Sequence, residues 1–99
     1  MDQTQALKKI QQIIFDHLFN YEYEVFLFGS RASGESHHKY ANFDIGIKSN
    51  NEIPFNIYSK IITQFEDSNI PYIIDLVDFN AVSDDFRQVA MQHTITLNN

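Results

Sequence analysis

The chain has 99 residues, 43% of them hydrophobic and 14% aromatic, with nine Phe, no Cys and a formal net charge of −6. That composition fits a single small globular domain spanning residues 1–99 and is too apolar for a disordered tail. The acidic balance, without any Lys/Arg cluster, excludes a nonspecific grip on DNA or RNA, and the missing thiols exclude a disulfide framework and a thiolate nucleophile. The N-terminus lacks a basic start and no apolar run approaches the ~20 residues needed to cross a bilayer, so a cytoplasmic protein without a membrane partner is expected.

Ala6, Leu7, Ile10, Ile13, Ile14, His17 and Leu18 recur at helical spacing, which predicts an amphipathic helix over the first twenty residues with Asp2 as its N-cap. Val25 to Phe28 is a strand, followed by a Gly29-Ser30 step where a short helix begins. Phe43 to Ile47 is a second strand. Tyr58, Ile61, Ile62 and Phe65 mark a helix opened by Pro54 and closed by Asp67-Ser68-Asn69. Tyr72 to Phe79 reads as a third strand, and Ser83 caps a last helix whose first turn carries Asp84 and Asp85 and whose apolar stripe is Phe86, Val89, Ala90 and His93. The expected class is α/β (α+β): a small mixed sheet of three or more strands packed against helices. So few helices cannot cover every apolar strand face, which leaves surface for a partner or for a second copy of the chain.

A Gly-Ser step after an apolar strand turns backbone N–H groups outward, an arrangement suited to an anion. Asp44 enters the second strand, and Asn42 shares its face because strand side chains alternate. Asp75 is an ionisable group inside an apolar strand, and burial would require a partner. If the second and third strands are neighbours, Asp75 meets Asp44, and magnesium shared with substrate phosphates is the natural occupant. The plainer alternative is that Asp75 or Asp78 caps a strand end or pairs with a cation. Arg31 either steadies a phosphate oxygen or is a solvated charge at a helix start. His37, His38 and Lys39 read as an exposed loop rather than a zinc site, while His17 and His93 read as packing residues. Ser30 has no His or Asp at a spacing that suggests a nucleophile.

The segments Phe28-Gly29-Ser30-Arg31-Ala32-x-Gly34, Ala41-Asn42-Phe43-Asp44-Ile45-Gly46-Ile47 and Ile74-Asp75-Leu76-Val77 together resemble the minimal nucleotidyltransferase domains of the DNA-polymerase-beta-like superfamily, over most of the chain. The resemblance implies that fold, with Gly29 and Ser30 holding the triphosphate of ATP and with Asp44 and Asp75 as the second and third ligands of a two-magnesium site. The family usually has Ser-Asp where this chain has Ala41-Asn42, so the first metal-binding carboxylate is an amide. The preceding segment is also one residue longer than is common. Losing one such ligand costs a rate factor on the order of a thousandfold or more.

Short members of this family resemble antitoxins whose partner is a separately encoded helical toxin of HEPN type. The resemblance therefore implies metal-dependent transfer of AMP from ATP to a tyrosine hydroxyl of that toxin. With Asn42 in place, the alternative is a degenerate subunit that neutralises the helical partner by covering it. Ala41 departs from the family pattern together with Asn42, which favours natural divergence over a single introduced change.

Overall fold

The computed structural model describes residues 1–34 and 42–97. Helix α1 (Gln3–Leu18) leads to strand β1 (Tyr23–Phe28), a four-residue helix α2 (Ser30–Ser33), β2 (Phe43–Ser49), α3 (Phe55–Asp67), β3 (Ile74–Asp78), α4 (Asp84–Ala90) and β4 (Ile95–Thr96). The sheet order is β3-β2-β1-β4, with β2 and β3 parallel and the other two pairs antiparallel. A parallel pair cannot be joined by a hairpin, and α3 supplies the crossover. The mixed α/β class expected from the sequence is therefore what forms. No described helix is long and apolar enough to cross a membrane.

The helix signals act as read. Asp2 accepts from the Gln5 backbone N–H at 2.9 Å while the Gln5 side chain accepts from Asp2 N–H at 3.0 Å, a reciprocal capping box that satisfies two otherwise orphaned donors. Pro54 precedes α3, where a missing N–H costs nothing, and the Ser68 N–H closes that helix on the Gln64 and Phe65 carbonyls. Ser83 Oγ accepts from Phe86 N–H at the start of α4.

One face of the sheet presents Val25, Leu27, Phe43, Ile45, Ile47 and Leu76 to Ala6, Ile10, Ile13, Ile14 and Leu18 of α1 and to Ile61 and Phe65 of α3. Each large side chain buried there contributes roughly 1.5–3 kcal/mol relative to exposure. His17 joins the two helices, its Nε2 lying 2.6 Å from Gln64 Oε1. The other face is thinner. Phe26, Phe28 and Phe79 form a second buried cluster, backed by Val77, Val82, Ala90 and Met91. Gly46 makes that cluster possible, because a Cβ there would lie 2.7 Å from the Phe79 ring and closer still to Phe26.

Three expectations change. The third strand is shorter than 72–79, running from Ile74 to Asp78; Pro71 cannot donate to a ladder, and the Ile73 carbonyl accepts from Phe43 N–H just before the strand begins. A fourth strand of two residues, β4, pairs with β1 at Phe26 and Leu27. It is too short for any hydrophobic periodicity to mark it. The apolar stripe of α4 is not packed away: Phe86 is 42% and Val89 69% exposed, and His93 lies beyond the helix end on the surface. The Phe cluster beneath α4 is only three residues wide, so Ala90 and Met91 suffice to cover it. The expected uncovered apolar surface is present, and Phe15, Phe19, Phe55 and Ile73 add to it.

Candidate active site

Strand β1 ends at Phe28, whose Cα partner on β2 is Asp44. The chain then turns at Gly29 with φ +73° and ψ −155°, a region essentially closed to residues with a Cβ, and enters α2. Gly29 backs directly onto Asp44. A Cβ at position 29 would fall on Asp44 Oδ2, 3.1 Å from Cγ and 3.3 Å from Cβ of the same side chain. The glycine is thus required twice, by the backbone angle and by the carboxylate packed against it.

Asp75 is the register partner of Asp44 in the parallel β2–β3 pair, which puts both carboxylates on one face of the sheet. This is the Phe26–Phe28–Phe79 face, opposite the main core. Asp44 is half-buried, and its carboxyl is pushed above the usual carboxylate range first by that burial and second by the charge of Asp75. Asp75 does not incur the cost of burial that an acid inside this apolar strand would carry. It is exposed, because β3 is the edge strand of the sheet. Asn42 Nδ2 donates to Asp75 Oδ2 at 2.9 Å, so the amide reaches the same spot and occupies one acceptor site there.

Arg31 goes elsewhere. Its guanidinium stacks 4.2 Å from the centroid of Phe43, on the opposite face of the sheet, and donates to Gln3 Oε1 at 2.8 Å. The structure therefore does not bring it to the carboxylates: cation–π stacking and a hydrogen bond to α1 hold the side chain on the core side. Asp78 takes the plainer role, accepting from the Ile53 and Asn80 backbone N–H groups at the end of β3. His37, His38, Lys39 and Ala41 lie outside the described residues.

Two open clefts share Phe28 and Phe86, and the carboxylates line one of them. One is lined by Phe28, Asp44, Tyr58, Asp75, Val77 and Phe86. The other is lined by Phe28, Gly29, Ser30, Phe86, Val89 and His93. His93, expected as a packing residue, thus sits on the rim of a cleft. Tyr58 donates to the Leu76 carbonyl at 2.6 Å, and its phenol is pushed up by burial, then by the charges of Asp78 and Asp75. Phe86 and Tyr58 are the residues that sequence reasoning assigned only to helix packing. Nothing local marks them, since their place beside the carboxylates follows from the sheet order. A larger groove of about 850 Å³, between the outer face of α1 and Tyr21 to Val25, shares no residue with these clefts and holds no acidic pair.

Among the described residues no group of three or more His or acidic side chains converges on one point. The donors available are Asp44, Asp75 and the amide of Asn42. Two carboxylates side by side, one of them already disfavoured in its charged form, fit a divalent cation whose remaining ligands are phosphate oxygens and water. They do not supply the third carboxylate that a second cation would use.

Against known proteins, the profile of the family described as Polymerase beta, Nucleotidyltransferase matches residues 8–99. A probable protein adenylyltransferase of Haemophilus influenzae, MntA, is 32% identical over 80 residues, covering 81% of this chain and 64% of the relative. The chain thus spans less than two thirds of the length of that relative. Among solved structures, a toxin–antitoxin with AMP-PNP superposes with a TM-score of 0.74 at 19% identity, over 94% of this chain and 73% of the other. A complex of tri-AMPylated HEPN toxin with MNT antitoxin from Shewanella oneidensis matches with a TM-score of 0.65 at 18% identity, over 98% of this chain and 72% of the other. At these identities the likeness is one of fold.

Proposed function

The chain belongs to the polymerase beta nucleotidyltransferase family, and from that premise we propose that residues 1–99 are one minimal domain that binds ATP with a divalent cation and transfers AMP to a tyrosine hydroxyl of a helical HEPN-type toxin, acting as its antitoxin. The observation that carries this reading is the in-register pair Asp44 and Asp75, with Asp44 packed against Gly29 at the start of α2. It unites a carboxylate pair with the backbone step suited to phosphate. Further support comes from the relative named as a protein adenylyltransferase and from the fold shared with an MNT antitoxin in complex with a HEPN toxin.

In this reading the Gly29-Ser30 step, where the chain turns from β1 into α2, positions the β and γ phosphates. Asp44 and Asp75, with the Asn42 amide, hold magnesium. Bound there, magnesium neutralises phosphate charge and lowers the pKa of the attacking hydroxyl. The acceptor oxygen bonds to the α-phosphorus as the bond to the pyrophosphate oxygen breaks, leaving AMP on the toxin and pyrophosphate free, with the hydroxyl proton released to water.

The Asn42–Asp75 hydrogen bond favours a second reading, in which the domain neutralises its partner by covering it. An amide N–H holds an acceptor site that a cation would use, and it brings no negative charge. The two readings separate by mass spectrometry of the helical partner after incubation with ATP and magnesium. Slow AMP adduct formation by the natural sequence, accelerated on the order of a thousandfold by Asn42→Asp, supports the transferase. No adduct from either form, with the complex still assembled, refutes it in favour of the steric role.

A further inference from the structure

Phe86 is the feature of this molecule that the chemistry above leaves unused. It is a large aromatic side chain left 42% exposed, and it lines both clefts beside the carboxylates: the one holding Asp44 and Asp75 and the one holding Gly29 and Ser30. Its ring is supported from below. Phe86 meets the buried Phe28 edge-on, centroids 6.2 Å apart at 84°, and lies 5.8 Å from Phe79, which itself packs edge-on against Phe28 at 5.1 Å. Its backbone N–H is fixed by the Ser83 cap. Arg87, the next residue, donates to the Phe79 carbonyl at 2.8 Å and pairs with Asp84, pinning α4 to the end of β3.

An exposed ring on a rigid aromatic base, lining the same cleft as the Gly29-Ser30 step, has the properties of a stacking surface. Aromatic side chains hold bases through their π faces whatever the base identity. We propose that Phe86 is the platform on which the nucleobase of the bound nucleoside triphosphate stacks. The proposal rests on the nucleotide-binding reading of Gly29, Ser30, Asp44 and Asp75 and adds to it a residue on a different element. It also gives a reason for the apolar stripe of α4 to face solvent. Val89, 69% exposed and lining the same cleft as Gly29, extends the apolar floor beside the ring.

The chain contains no Trp, so Phe86→Trp installs a single indole reporter at the platform. With magnesium present, ATP is expected to quench its emission and inorganic tripolyphosphate to leave it unchanged. By calorimetry, Phe86→Ala should weaken ATP on the order of tenfold, the usual size of one lost base stack, while tripolyphosphate affinity stays the same. Phe86→Tyr should restore ATP binding, and Phe86→Leu, which keeps the apolar packing without the ring, should not. If ATP binds the natural sequence and Phe86→Ala equally, and the indole does not respond, the platform is refuted while the phosphate site stands. An equal loss of ATP and tripolyphosphate in Phe86→Ala and Phe86→Leu also refutes it, because the role is then support of the fold. Failure of both ligands to bind the natural sequence overturns the nucleotide reading and the platform with it.

Discussion

Replacing Gly29 by Ala tests the contact on which the site is built. The backbone at this position, φ +73° and ψ −155°, costs a residue with a Cβ about 1–3 kcal/mol. The new methyl would also overlap Asp44 Oδ2, so the carboxylate must swing away or the β1–β2 end must part, an overpacking cost of about 1–3 kcal/mol more. A total near 4 kcal/mol should lower the Tm by about 15–30 °C for a domain of this size. In an Asp44→Ala background only the backbone cost remains. Urea unfolding of the four proteins, followed by far-UV circular dichroism, should therefore give a coupling energy of about 1–3 kcal/mol in which the double variant is more stable than the sum of the singles predicts. Additivity within about 0.5 kcal/mol would mean that Gly29 and Asp44 do not touch, and a tolerated Gly29→Ala in both backgrounds would refute the positive φ as well.

Asp44 sets a pH dependence. Its carboxyl is raised by burial and by Asp75, so between the unfolded value and the raised one the native state binds more protons. Stability therefore falls as pH rises through that window and the penalty is fully present above it; Asp44→Asn should flatten this slope in stability-versus-pH curves measured in EDTA, at the expense of magnesium-dependent ATP binding. Asn42→Asp replaces the donor to Asp75 with a like charge. The variant should melt below the natural sequence in EDTA and regain the difference in magnesium; a Tm indifferent to magnesium in both forms would count against the cation site. Gly46→Ala drives a methyl into the Phe26 and Phe79 rings and should cost about 3 kcal/mol in urea unfolding. A neutral result there would show that the aromatic cluster is not packed as described. Asp2→Ala removes one half of the reciprocal cap between Asp2 and Gln5, which involves none of the carboxylates of the site, so it should lose about 1 kcal/mol of stability with unchanged nucleotide affinity.

The helices were legible because their signals are local. Periodic apolar residues, Asp2 and Ser83 as caps, Pro54 before the first turn and Ser68 after the last each act within a few positions. The Gly-Ser step, Asp44 and Asp75 were legible as residue types whose chemistry has few other uses in an apolar strand. The sequence by itself therefore determined the helices and three of the four described strands, the mixed class and the acids and glycine of the candidate site. It could not place Arg31, whose stack on Phe43 depends on where α1 and β2 meet. Nor could it show Asp75 exposed on an edge strand, find β4, or bring Phe86 beside the carboxylates. Those facts follow from the β3-β2-β1-β4 order, a long-range arrangement set by which apolar faces can be buried together. Only the tertiary structure decided them, because sheet order and burial are properties of the whole packed chain and no short stretch of residues carries them.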